Sequence, residues 1–205
     1  GAIPSSIGQL QKLKVLYLVG NSEMGAFSGA LPAEIGNLDS LTYLSIGNNE
    51  LEGVIPTAIG QLAKLEYLNL NNNGLSGSIP AEIGQLSQLE YLNLGNNNFS
   101  GNLPTEFSTL VNCKSIYLYN NQFSGAIPSG LGQLDSLENF NVYNNLLSGN
   151  LPQELGNLKK LRLLSLANNS FSGQIPASYS GLDSLKALYL TYNKFTFSDL
   201  DNSGP

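Results

Sequence analysis

The chain has 205 residues and a formal net charge of −6, with 41% hydrophobic but only 12% charged residues. An acidic chain this poor in Lys and Arg lacks the clustered cations that displace counterions from a phosphate backbone, which argues against nucleic acid as a partner. No apolar run approaches the roughly 20 residues that cross a bilayer, so no membrane span is expected, and a single cysteine, Cys113, excludes an intrachain disulfide.

In chain order, an Ile-Pro or Leu-Pro step recurs at Pro4, Pro32, Pro56, Pro80, Pro104, Pro128, Pro152 and Pro176, at intervals of 24 residues from Pro32 onward. The first interval is 28 because Gly20 to Ala26 carries four additional residues around Ser22, Glu23 and Met24. Each period repeats Leu, two variable residues, Leu, one variable, Leu, two variable, Asn. One turn reads Leu65, Leu68, Leu70, Asn73 and the next reads Leu89, Leu92, Leu94, Asn97. The Asn column runs unbroken through Asn21, Asn49, Asn73, Asn97, Asn121, Asn145, Asn169 and Asn193. This self-similarity predicts a solenoid of eight repeats over residues 1–196, entered in mid-repeat at Gly1-Ala2-Ile3-Pro4. Residues 197–205 leave the pattern and read as an exit segment or linker.

Leucines two apart, such as Leu68 and Leu70, lie on one side of a short strand, because side chains alternate across it. One turn cannot bury its own apolar side, so turns must stack and their strands form a parallel sheet. The Asn column falls where the strand ends. A buried amide there is expected to donate to and accept from backbone groups of adjacent turns, forming a ladder.

After the Asn the period continues as Leu75-Ser76-Gly77-Ser78-Ile79-Pro80 or Phe99-Ser100-Gly101-Asn102-Leu103-Pro104, and then as Glu82-Ile83-Gly84-Gln85-Leu86. From Gly1 to Phe195 this resembles the plant-type leucine-rich repeat of receptor-like kinase and receptor-like protein ectodomains. Phe195 to Leu200 is similar to the exit segment of repeat arrays in secreted bacterial proteins. The resemblance implies an α/β-type repeat solenoid, a right-handed superhelix with a parallel concave sheet. It also implies a second short strand near each Gly-x-Ile-Pro segment and short 3-10 or irregular convex segments. It further implies a secreted, extracellular or cell-surface protein that is part of a longer chain. Ectodomains of that family usually carry paired cysteines as caps, which this sequence lacks.

Chemistry for catalysis is scarce. Histidine is absent, which removes the commonest general base and metal ligand. Cys113 stands where other turns have Leu and reads as a buried apolar residue. Glu34, Glu82, Glu106 and Glu154 repeat at one phase of the period and read as a solvated convex row rather than a glycosidase pair. Asp199, Asp201, Ser203 and Gly204 resemble the start of a calcium loop, but the closing Glu is missing. No catalytic residue, metal site or cofactor is therefore expected.

The aromatic residues divide by position. Phe27, Phe99, Phe123, Phe171 and Phe195 fill the apolar position after the Asn, and Phe140 replaces a strand leucine, so these belong to the core. Tyr17, Tyr43, Tyr67, Tyr91, Tyr117, Tyr119, Tyr143, Tyr189 and Tyr192 occupy variable positions of the strand segment, and only Tyr179 does not. Nine tyrosines should thus line or border the concave face, and Tyr is enriched where proteins bind partners. Tyr43, Tyr67 and Tyr91 share one column and also fit a role in stabilising the sheet.

The expected ligand-binding set is Tyr67, Tyr91, Tyr117, Tyr119, Tyr143 and Tyr189 with Glu66, Glu90, Asn69, Asn93 and Asn141. Glu66, Glu90 and Glu138, then Lys114, Arg162 and Lys186, suggest a gradient from acidic to basic along the second strand position. Such a face suits a peptide, protein or carbohydrate ligand. Two sequons, Asn98-Phe99-Ser100 and Asn168-Asn169-Ser170, are glycosylation candidates. Two other readings stay open: ice binding by the column Asn48, Asn72, Asn96, Asn120, Asn144 and Asn168, and a structural spacer in a larger surface protein.

Overall fold

The computed structural model describes residues 1–20, 25–196 and 199. Each turn contributes one strand to a parallel sheet of eight: Val15–Tyr17, Tyr43–Ser45, Tyr67–Asn69, Tyr91–Asn93, Ser115–Tyr117, Asn139–Asn141, Leu163–Ser165 and Ala187–Tyr189. Neighbouring strands pair in register, so that Leu16, Leu44, Leu68, Leu92, Ile116, Phe140, Leu164 and Leu188 form one row. The interior members of that row, from Leu44 to Leu164, are fully buried. At about 2 kcal/mol for each buried aliphatic side chain, the row holds the turns in register, because slipping by one residue would expose it.

A second parallel sheet, running from Ser28–Ala30 to Ser170–Phe171, has seven strands. Its Ser-Gly segments owe their glycine to backbone geometry. At Gly77 φ is +74°, a region that a Cβ disfavours. The convex side is a row of eight five-residue 3-10 helices from Ser5–Gln9 to Ala177–Gly181. Each follows its Ile-Pro or Leu-Pro step, where proline has no N–H to leave unpaired at a helix start.

The predicted Asn ladder is present. Asn97 Nδ2 donates to the carbonyls of Leu70 in the preceding turn (3.0 Å) and of Leu94 and Gly95 in its own turn (3.1 and 3.2 Å). Its Oδ1 accepts from the Leu75 N–H at 3.1 Å. The pattern repeats from Asn49 to Asn193. Asn21, together with Ser22, Glu23 and Met24, lies outside the described residues.

Phenylalanines 99, 123, 140 and 171 are fully buried, and the rings of Phe99 and Phe123 stack at 6.1 Å. Phe27 and Phe195 are partly buried against the same core. Cys113 is buried as expected, its Sγ donating to the Ser115 carbonyl at 3.4 Å. Burial pushes the thiol from 9.0 up to about 12. The fold therefore favours the protonated thiol. Its stabilising contribution is complete below pH 9.0 and declines as pH rises toward about 12. Iodoacetamide at pH 8 should leave Cys113 unmodified in the native chain and alkylate it fully in urea. Rapid native labelling, read by mass spectrometry, would contradict this burial.

Of the exit segment only Asp199 is described. Its carboxylate accepts the Thr196 N–H and hydroxyl at 2.6 and 2.8 Å, and its carbonyl accepts the Ile175 N–H at 3.1 Å. Those bonds from Thr196 lower its pKa. Asp199 is thus tied back to the last turn, while Asp201, Ser203 and Gly204 lie outside the described residues.

Candidate functional site

The concave sheet carries tyrosines side by side across five consecutive strands. Tyr43, Tyr67 and Tyr91 face one another through the strand register, with ring centroids 4.2 and 4.3 Å apart and planes within 7°. At that separation the rings cover each other's faces and leave their edges outward. Burial, followed by the neighbouring Tyr91, raises the Tyr67 pKa. Burial also raises that of Tyr91, against opposing hydrogen bonds from Asn93 and Tyr67.

The stack ends where the column turns to Ser115, which is buried and small. Beside that gap Tyr117 tilts by 52°, its centroid 5.6 Å from Tyr91. At the other end Tyr17 lies 6.5 Å from Tyr43. Tyr67 and Tyr91 are therefore part of the sheet's own packing as well as of its surface.

Tyr119 belongs to the column just beyond the strand, which reads Gly47, Asn71, Gly95, Tyr119, Tyr143, Ala167. A Cβ on Gly95 would lie 2.6 Å from both the Cε1 and Cζ atoms of Tyr119, and 2.9 Å from Cε2. The ring thus lies over the glycine backbone, in a place that only a residue without a side chain leaves open. Tyr143 has Tyr119 rather than glycine in the preceding turn, and it stands out, 41% exposed. Tyr189, on the last strand, is more exposed still. Tyr179 is buried on the convex side and donates its hydroxyl to the Pro152 carbonyl at 3.2 Å.

The structure adds detail to two expectations. Asn69, Asn93 and Asn141 each spend one Oδ1 lone pair on the N–H two residues on, from Asn71, Gly95 and Tyr143 at 3.1, 3.0 and 2.9 Å. Asn93 is also buried. The reason is local, since an Asn at a strand end closes an Asx-type turn on its own backbone. The charge gradient is likewise broken by pairing between turns. Lys114 Nζ lies 2.6 Å from Glu90 Oε2, and Arg162 Nε 3.6 Å from Glu138 Oε2. The hydrogen bond that Lys114 donates to Glu90 raises the Lys114 pKa. Glu90 is therefore shared with a lysine, while Glu66 is in neither of these pairs.

Sequence reasoning missed a second ladder. Asn48, Asn72, Asn96, Asn120, Asn144 and Asn168 all have φ between 52° and 57°, where Asn is the best tolerated residue after glycine. Their side chains join in one direction: each Nδ2 from Asn72 to Asn168 donates to the Oδ1 of the preceding turn at 2.5–2.9 Å. The signal was the residue type itself, repeated at one phase; Tyr192 takes the same backbone form in the last turn.

The family described as a leucine-rich repeat region matches residues 47–199. This chain belongs to the leucine-rich-repeat family. Among solved structures, the repeats are 38% identical to a TDR receptor (TM-score 0.90), covering 95% of this chain and 33% of that one. They are equally identical, at TM-score 0.90, to the Arabidopsis receptor kinase HAESA, solved in complex with the peptide hormone IDA and the co-receptor SERK1. There the match covers 95% of this chain and 32% of that one. The repeats thus span about a third of the length of those receptors. A plant ice-binding protein shares the fold at 24% identity and TM-score 0.66, covering 88% of this chain and 72% of that one. No curated protein sequence matches. The likeness to receptor ectodomains makes the repeat plant-type, as its motif implied.

The two sequons of this leucine-rich-repeat chain differ in setting. Asn98 is exposed in the strand Asn98–Asn102, whereas the Asn168 amide nitrogen is already bonded to Asn144 at 2.5 Å.

Proposed function

We propose that the chain is an extracellular or cell-surface recognition module that holds an extended polypeptide along its concave sheet and carries out no catalysis. The carrying observation is the aromatic ridge from Tyr17 to Tyr117 across five strands, continued by Tyr119, Tyr143 and Tyr189. Rigid aromatic side chains present large apolar area at small entropic cost, which suits them to bind a partner. The likeness to a receptor solved with a peptide hormone supports the choice of a polypeptide.

Within the ridge, Tyr117, Tyr119, Tyr143 and Tyr189 are the contact residues, because their faces are not consumed by the parallel stack. Tyr67 and Tyr91 contribute edges and hydroxyls, with Glu66 and the Glu90–Lys114 pair beside them. Asn69, Asn93 and Asn141 set the turn that holds the neighbouring column.

Peptides selected by display against this chain should lose about a hundredfold in affinity for the double variant Tyr117→Ala, Tyr143→Ala, since two central aromatic contacts are removed. The variant's circular dichroism should stay native. Selected peptides that bind the double variant as well as the parent would end this reading.

A further inference from the structure

The ring of Tyr119 has one face against the Gly95 backbone, while the side chain as a whole remains partly exposed. We propose that Tyr119, laid over Gly95 and flanked by Tyr143 and the amides of Asn96, Asn120 and Asn144, is a stacking platform for one pyranose ring of a neutral polysaccharide. This subsite lies at the rim of the concave sheet, in the columns beyond the strands, and shares Tyr119 and Tyr143 with the proposed polypeptide face, so the two ligands compete there.

Three features point to a sugar. A pyranose presents a flat face of C–H bonds and an edge of hydroxyls, so it needs an open aromatic face with hydrogen-bonding groups alongside. Tyr119 supplies the face, and Tyr143, one turn on and standing out from the surface, supplies a wall. The edge is met by the outer Asn ladder, whose members directly follow these residues in sequence. Asn96, Asn120 and Asn144 each spend one N–H and one oxygen lone pair on the ladder. Each keeps a second N–H and a second lone pair. A donor beside an acceptor, repeated turn by turn and held at fixed positions by the ladder, is the pattern that vicinal hydroxyls satisfy.

The third feature is charge. The column of Tyr119 (Gly47, Asn71, Gly95, Tyr119, Tyr143, Ala167) and the Asn column beside it contain no ionisable group other than the tyrosines. The acidic and basic residues of the concave face stand in the second strand position, where Glu90 pairs with Lys114 and Glu138 with Arg162. A site without fixed charge complements an uncharged ligand, which selects neutral glycans over uronic-acid polymers.

The test titrates the chain with cellohexaose, laminarihexaose and mannohexaose, with a hexagalacturonate as the anionic comparator, by calorimetry. At least one neutral hexaose should bind. Tyr119→Ala should weaken that binding about tenfold or more, the loss expected for one buried aromatic contact. Tyr119→Phe, which keeps the ring, should stay within about twofold of the parent. Gly95→Ala should weaken binding without touching the ring chemistry, because its Cβ would fall 2.6 Å from Tyr119 and lift the ring. Val54→Ser, at an exposed position just beyond the strand Glu50–Gly53, should change nothing. Thermal melts verify that each variant is folded, and the Tyr119→Phe and Gly95→Ala pair decides the matter if Tyr119→Ala is not. The platform is refuted if no neutral hexaose binds, if the hexagalacturonate binds better, or if binding survives both Tyr119→Ala and Gly95→Ala. Peptide binding is read separately, with display-selected peptides and the double variant Tyr117→Ala, Tyr143→Ala, so either reading can fail while the other stands.

Discussion

Asn97→Ala is expected to cost roughly 3–5 kcal/mol and lower the melting temperature by about 10 °C. The amide bonds three carbonyls and one N–H at the end of the strand, in two different turns. Alanine would leave those groups paired with nothing in a buried place, and an unsatisfied buried group costs more than a hydrogen bond is worth. The outer ladder supplies the contrast. Asn96→Ala removes two bonds at a partly exposed site and places an alanine at a φ of 54°, for roughly 1–2 kcal/mol. Asn96→Gly should recover much of that loss, because glycine accepts the backbone form without strain. Urea titrations of the three variants order them. Equal losses at positions 96 and 97 would mean that burial does not separate the two ladders.

Phe140→Ala is expected to cost roughly 3–5 kcal/mol, and Phe140→Leu about 1 kcal/mol. Phe140 stands fully buried in a row otherwise made of Leu and Ile, paired with Ile116 on one side and Leu164 on the other. Alanine leaves a void between two turns, whereas leucine restores the side chain found elsewhere in the row. In a solenoid each turn contacts only its neighbours, so a weak interface in the sixth turn uncouples the turns on either side. The Phe140→Ala melt should therefore broaden or split into two transitions. A single sharp transition at the parent temperature would show that the turns repack around the void.

Much of the site followed from side-chain alternation. Phe99, Phe123 and Phe171 lie inward and the tyrosines of the strands outward because a strand turns successive side chains to opposite sides. The ladder from Asn49 to Asn193 was legible for a similar reason: a polar residue recurring next to a buried row must be satisfied by the backbone beside it. The bonds that Asn69, Asn93 and Asn141 make to their own turns were not legible, because an outward position does not say whether an amide is free. A bond to the N–H two residues on is decided by the local turn, and the pattern of apolar residues carries no trace of it.

Periodicity alone was enough to fix the winding, the inward rows, the Asn column of the core and the side of the sheet on which the tyrosines fall. These depend on residue spacing within one turn. Which tyrosine faces stay open, which charges cancel and which asparagines hold one another depended on contacts between residues 24 or so apart in sequence. Those contacts are set by side-chain rotamers and by the space that a glycine or serine leaves in the adjoining turn. Tyr119 lies flat because position 95 is glycine, and Tyr117 tilts beside the small Ser115.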